Sequence, residues 1–243
     1  MAIRAIAFDI DGTLYSNASL YLKTLGFGLR HFTMLQHFSR VRYDLHRIAA
    51  APGGACEGCD DLPGFRALQA SMLAARSGKS EEEAAAWAER VMYGELEAAF
   101  TRVRPFEGLL PALGALRAAG YRLAALSDFP AARKLATLGL DSWFEVAFCS
   151  EETGCLKPAP KPFIELARRL GLEPGEILYV GNSLPLDVVG ARNAGMGTAY
   201  RGSHGRLPRF REPYVPKSYP DAKPDFSFTD WSLLVEHLVP SAT

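Results

Sequence analysis

Apolar positions along the chain fall into short blocks closed by polar or glycine breaks. Ile3–Phe8 is such a block and ends in Asp-Ile-Asp-Gly (9–12); Arg122–Leu126, Val146–Cys149 and Ile177–Val180 repeat the pattern. Their length and unbroken hydrophobicity predict strands buried on both faces of a sheet. Between and after them lie stretches with helical patterning, Pro105–Ala119, Pro130–Leu138, Pro162–Leu170 and Pro185–Ala194. Each is followed by a glycine (Gly120, Gly139, Gly171, Gly195) suited to a left-handed helix end. This alternation predicts an α/β fold, a parallel sheet with helices on both faces. Residues 224–228 and Trp231–Leu238 read as a last strand and helix packing back on the core.

The stretch 16–103 breaks the rhythm and holds no convincing strand. Ser80-Glu-Glu-Glu83 is a capping box, with Ser80 as N-cap and Glu83 at the third position. An alanine-rich segment of strong helix propensity follows it, and Leu62–Arg76 reads as a further helix. The expected organisation is a core made of 1–15 and 104–243, interrupted by a mostly helical insertion at 16–103.

Composition narrows the function classes. The chain has 243 residues, ample for a buried core, with 27 basic and 27 acidic side chains. A zero balance gives no reason to expect a nucleic-acid polymer or an anionic membrane as partner. No apolar run approaches the roughly 20 residues of a spanning helix. MAIRAIAFDIDG lacks the long apolar stretch and cleavage site of a signal peptide, so a cytoplasmic location is expected. The four cysteines, Cys56, Cys59, Cys149 and Cys155, are too few for a disulfide scaffold. Cys56 and Cys59 have zinc or redox spacing without a second pair, and are read as reduced thiols in a glycine-rich loop. The basic stretch 201–223 is read as a solvated loop. The oligomeric state is not legible.

The chemistry gathers at strand ends. In an open parallel sheet, ligands bind at the carboxyl ends of the strands, near the point where strand order reverses. Asp9 and Asp11 follow the first strand, and Ser127 closes the second. Lys157 stands between Gly154 and two prolines beyond the third, and Gly181-Asn182-Ser183-Leu-Pro-Leu-Asp187 follows the fourth. Each alone is weak, since Asp, Gly and Ser are common in turns. Together, four successive strand ends supply carboxylates, a hydroxyl, an ammonium and oxygen donors for a hard cation.

The set DIDGT (9–13), LSD (126–128), Lys157 and GNSLPLD (181–187) resembles the four motifs of the haloacid dehalogenase-like hydrolase superfamily. The stretches FDIDGTLY, SDFP, SEETGCLKPAPKPF and LYVGNSLPLDVVGARNAGM are similar to its phosphatase branches. The resemblance implies a Rossmann-like core, a cap domain formed by the insertion, and Mg²⁺-dependent hydrolysis of a small phosphate monoester. It implies Asp9 as nucleophile, giving an aspartyl phosphate, and Asp11 as general acid and base. Ser127 and Lys157 would hold the phosphoryl group. Mg²⁺ would be held by Asp9, the Asp11 carbonyl and Asp187, with Asn182 in or next to that set. The family pattern has Gly-Asp where this chain has Gly181-Asn182, a neutral ligand for a charged one. Two alternatives follow: a weakly catalytic or non-catalytic phosphate-ester binder, or a haloacid dehalogenase. The second is opposed by Asp11, because a departing halide needs no proton.

The insertion is expected to choose the substrate and exclude water, with Gly12–Asn17 as hinge and flap. Its segment carrying Arg30, His31, His37, Arg40, Arg42, His46 and Arg47 has two readings, a site for an anionic or hydroxylated leaving group or a wet helix face. Tyr15, Phe27, Phe32 and Phe38 likewise read as a stacking surface or as core.

Overall fold

A computed structural model describes residues 2–17, 25–51, 59–96, 103–202 and 223–239. Among them six strands form one parallel sheet: β1 (Ala5–Phe8), β2 (Arg122–Ser127), β3 (Val146–Cys149), β4 (Ile177–Gly181), β5 (Gly197–Arg201) and β6 (Phe226–Phe228). The order is β3-β2-β1-β4-β5-β6. The chain builds outward from β1 on one side, then crosses back to β4 on the other. The reversal therefore falls at β1, and the crevice beyond its carboxyl end is the expected ligand position.

β1 has all four residues buried because both of its faces are covered. Ile6 and Phe8 pack with α5 (Leu109–Ala118) and α9 (Trp231–Leu238), while Ala5 and Ala7 face α7 (Pro160–Leu170). The alternation follows from the two-residue side-chain period of a strand. The small Ala side chains let α7 approach through Phe163, whose ring meets Tyr179 edge to face at 4.9 Å.

The structure matches the expected elements with three differences. The helix expected over 105–119 begins at Leu109, capped by Gly108 in the left-handed conformation. The segment expected as one helix over 185–194 is a π-helical turn, Leu184–Val188, running into a short α8, Val189–Asn193. β5 is an additional strand, joined to β6 through pairs such as Ala199 with Phe226.

Helices α1 (Leu25–Arg30), α2 (Phe32–Ala49), α3 (Leu62–Ser77) and α4 (Glu81–Trp87) lie between β1 and α5, and α4 continues as a π-helical stretch, Ala88–Glu95. The capping box at Ser80 and Glu83 is present with both hydrogen bonds. These helices enclose their own apolar cluster, including Phe38, Leu45, Phe65, Leu73 and Val91. Cys155, Leu156 and Ala159, from the loop that carries Lys157, belong to that cluster. The two chain crossings into the insertion run side by side, with Tyr15 bridged to Pro105 and the Phe106 amide donating to Leu14 at 2.9 Å. Among the described residues, no helix is long and apolar enough to cross a membrane.

Candidate active site

Four strand ends and one helix meet above β1. Lys157, 2% exposed, places its ammonium 2.7 Å from Asp9 Oδ1 and 2.6 Å from Asp187 Oδ1. The Tyr179 hydroxyl, itself donating to the Leu126 carbonyl, stands 3.4 Å away. Burial disfavours the charged ammonium, but Asp187 and Asp9 outweigh it and hold the Lys157 pKa well above its ordinary value. Burial pushes the Asp9 carboxyl up to about 7; Lys157 pulls it down while Asp187 and Asp11 add to the rise. Asp9 is thus a desolvated carboxylate that gains from any further positive charge at its other oxygen.

That other oxygen, Oδ2, accepts from Thr13 Oγ at 2.8 Å and faces Asn182. The inward terminal atom of the Asn182 amide lies 3.2 Å from Asp9 Oδ2, 3.3 Å from the Asp11 carbonyl oxygen and 3.1 Å from Thr13 Oγ. With nitrogen inward, the amide donates to these oxygens. With oxygen inward, it competes with Asp9 Oδ2 for the single Thr13 hydroxyl proton, and three acceptors converge. Two glycines make this approach possible. A Cβ on Gly12, at φ +87°, would stand 2.5 Å from the Asn182 amide, and one on Gly181 would stand 2.4 Å from the Asp187 side chain.

Asp11 points elsewhere. Its Oδ2 accepts from Ser127 Oγ at 2.8 Å, its Oδ1 accepts from the Tyr15 hydroxyl, and the Lys134 ammonium bridges both oxygens at 2.5 and 2.7 Å. Burial alone would raise the Asp11 pKa. Lys134, with the Tyr15 and Ser127 hydroxyls, more than offsets it and leaves the group below its ordinary value. Asp187 is pinned between Lys157 and the Ser183 amide, which donates to its Oδ2 at 2.9 Å.

The structure therefore brings together Asp9, Asp11, Ser127, Lys157, Asn182 and Asp187. Sequence reasoning missed Thr13, Tyr15 and Lys134 as members of this group. Thr13 and Tyr15 lie within or beside the first motif. Lys134 sits on α6 (Ala132–Leu138), one turn into the element after Ser127, where only the tertiary fold identifies it.

Hard-cation chemistry fits one part of this arrangement. Among the described residues, no three His, Cys, Asp or Glu side chains gather as a metal cage. The atoms that converge are an Asp9 carboxylate oxygen, the Asp11 carbonyl oxygen and the inward atom of the Asn182 amide, which is nitrogen when its hydrogen bonds are satisfied and oxygen when the amide turns over. An octahedral Mg²⁺ with bonds of about 2.1 Å sets neighbouring ligand oxygens roughly 3 Å apart. The separations around Asn182 are also those of its hydrogen bonds with nitrogen inward, so a cation there would need the amide turned with its oxygen inward.

The insertion closes over the same strand ends. Glu151, fully buried after β3, accepts from Arg42 at 2.5 Å and Tyr93 at 3.1 Å through Oε1, and from Arg66 at 2.9 Å through Oε2. Arg42 also donates to the Asp128 carbonyl at 2.5 Å, and His46 Nδ1 lies 2.7 Å from the Lys157 carbonyl. Burial lowers the His46 pKa, with Asp128 opposing, so the imidazole is neutral there. Of the polar cluster expected on this segment, Arg42 and His46 are buried at the seam, whereas Arg30, Arg40 and Arg47 face solvent. Tyr15 and Phe38 are core, and Phe32 is exposed. Cys59, Cys149 and Cys155 are buried and outside any disulfide; Cys56 and the basic stretch 203–222 lie outside the described residues.

Comparison with known proteins agrees with this geometry. The family model for haloacid dehalogenase-like hydrolases matches residues 3–195. A glyceraldehyde 3-phosphate phosphatase of Methanopyrus kandleri is 33% identical over 81% of this chain and 82% of its own. A 5-amino-6-(5-phospho-D-ribitylamino)uracil phosphatase of Escherichia coli is 30% identical over 84% and 86%. Among solved structures, L-2-haloacid dehalogenase from Xanthobacter autotrophicus superposes with a TM-score of 0.66 at 21% identity, covering 99% of this chain and all of that one. A HAD phosphatase from Thermococcus onnurineus superposes at 0.60 and 21%, covering 98% of each chain. At such identities the structural likeness shows the fold; the family match and the sequence relatives carry the rest. The chain belongs to the haloacid dehalogenase-like hydrolases and is an enzyme of that family's phosphatase kind.

Proposed function

We propose that this enzyme hydrolyses small phosphate monoesters through an aspartyl phosphate on Asp9, with Mg²⁺ at the oxygens of Asp9, Asp11 and Asn182. The carrying observation is the division of labour between two carboxylates two residues apart. Asp9 is buried against Lys157 and the oxygen cluster, whereas Asp11 is turned toward Ser127, Tyr15 and Lys134. One is placed to attack and the other to handle a proton.

Asp9 attacks phosphorus as the bond to the leaving oxygen breaks, and Asp11 gives that oxygen its proton. Water then attacks the same phosphorus, Asp11 takes the water's proton, and the bond to Asp9 breaks to release inorganic phosphate. Ser127 and Lys157 hold the phosphoryl oxygens. Bound Mg²⁺ offsets the charge of a carboxylate meeting a phosphate dianion. As it stands, Asp11 is ionised, the form the second step needs. The first step needs it protonated, and an arriving dianion, which draws on Ser127 and brings negative charge beside Asp11, raises its affinity for a proton. Asp187 acts through Lys157, fixing the ammonium between two carboxylates.

The reading extends to the insertion 16–103 as a cap over a core of 1–15 and 104–243. Its own apolar cluster and its buried seam at Glu151 support that division. The names of the relatives, phosphatases of glyceraldehyde 3-phosphate and of phosphoglycolate among them, support a small phosphorylated metabolite as substrate. The test is phosphate release from a panel containing p-nitrophenyl phosphate, phosphoglycolate, glyceraldehyde 3-phosphate and nucleoside monophosphates, with Mg²⁺ and with chelator. Release that needs Mg²⁺ is expected. Chloride release from 2-chloropropionate, with none of phosphate, would overturn the proposal.

A further inference from the structure

Among the described residues, the scheme above leaves one ammonium in the site without a task. Lys134 is buried and directs Nζ to both oxygens of Asp11, at 2.7 and 2.5 Å. It also lies 5.2 Å from the centre of the Phe129 ring. Burying an ammonium is unfavourable unless a partner is held in good geometry. Here the partner is a carboxylate that the reaction must use, which a purely structural pair has no reason to select.

The geometry separates the three donors around Asp11. The Tyr15 hydroxyl donates to Oδ1 and the Ser127 hydroxyl to Oδ2. Lys134 spans both, so it sets the plane of the carboxylate as well as its direction. Ser127 is also the hydroxyl that an incoming phosphoryl group draws away. Once it turns, Asp11 keeps Tyr15 at one oxygen and Lys134 at both. Without Lys134 one hydroxyl at one oxygen remains, which fixes neither the plane of the carboxylate nor its distance from the oxygen cluster around Asp9.

We infer that Lys134 is a positioning residue for proton transfer, bridging the two Asp11 oxygens so that this carboxyl stays beside the leaving group and away from the oxygen cluster around Asp9. The inference rests on the phosphatase reading above. It needs no further reactant, since Lys134 gives up no proton and forms no bond in the cycle.

The test compares an ester whose leaving group departs without a proton with one that requires it. For Lys134→Met, the single-turnover rate of enzyme phosphorylation, the step in which the leaving group departs, is expected to fall about 100-fold with β-glycerophosphate and less than about tenfold with p-nitrophenyl phosphate. KM is expected to hold within about threefold on each, and Lys134→Arg to recover most of the alkyl-ester rate. In an Asp11→Asn background, Lys134→Met should add less than about a twofold loss, because both changes remove one function. Lys134→Gln, which keeps a donor for one oxygen but cannot span two, should show the same substrate split at smaller size, and serves if the methionine variant does not fold. Equal losses on both esters, or losses that multiply with Asp11→Asn, would overturn the role of Lys134 alone. A wild-type enzyme that releases phosphate from neither ester would overturn the phosphatase reading and this one with it.

Discussion

Two buried charge clusters lie on the same edge of the sheet, and they are built on opposite rules. At the seam, the single carboxylate of Glu151 receives Arg42, Arg66 and Tyr93, so each of its oxygens has a donor. At the strand ends, the carboxylates of Asp9, Asp11 and Asp187 share the ammonium groups of Lys157 and Lys134. There the Asp9 and Asp11 oxygens also face the Asn182 amide across 3.2 and 3.3 Å. Distances within the ion pairs are alike in the two places, so distance does not tell them apart. What differs is the charge balance: two guanidiniums meet the one Glu151 carboxylate at the seam, whereas three carboxylates share two ammonium groups at the strand ends. A cluster that joins two parts of a fold gives its buried acceptors donors, because an unpaired buried group is costly. A cluster built for chemistry can carry excess negative charge toward the point where positive charge will arrive.

The largest break in that comparison is expected at Asp9. Asp9→Asn removes the proposed nucleophile and should lower phosphate release by about four orders of magnitude or more. The fold should lose little, since Lys157 keeps Asp187 and the amide preserves the shape; a thermal melt within a few degrees of wild type is expected. A melt lowered in proportion to the rate would mean that Asp9 belongs with the seam. Glu151→Gln should give the opposite split. It leaves two guanidiniums at the seam without their shared carboxylate, and urea unfolding should report a loss of about 3–5 kcal/mol. The variant should still form the phosphorylated enzyme, detectable as labelled protein after an acid quench. Loss of labelling with unchanged stability would move Glu151 into the chemistry.

The same contrast explains what was legible in the sequence. Strands buried on both faces are short apolar blocks, so β1 to β4 could be read directly, and with them the strand ends that carry Asp9, Asp11, Ser127, Lys157, Asn182 and Asp187. β5 escaped because Gly-Thr-Ala-Tyr-Arg has neither alternation nor an apolar run; it is a strand because β4 pairs with it along Gly197 to Tyr200. The motif residues are close in sequence to the elements that place them. Lys134 is not: its function depends on how the helix after β2 lies against β1. The seam was illegible for the same reason, since Arg42 and His46 resemble their exposed neighbours until Glu151 and the Lys157 loop close over them.

The finest test of the comparison is Asn182→Asp, which changes one donor into an acceptor. An amide serves the site in two states. With nitrogen inward it supplies donors to Asp9 and the Asp11 carbonyl, and with oxygen inward it would be a neutral ligand for the proposed cation. A carboxylate has only the oxygen-inward state. It should therefore bind Mg²⁺ more tightly, with the half-saturating concentration for phosphate release lowered on the order of tenfold, because affinity at such sites follows ligand charge. In chelator it should set a second negative oxygen against Asp9, where like charges disfavour each other. The thermal melt of the variant should then fall without Mg²⁺ and recover with it, a wider gap than in wild type. An unchanged Mg²⁺ dependence in both measurements would place the cation away from Asn182, and the converging oxygens would be a hydrogen-bonded turn like any other.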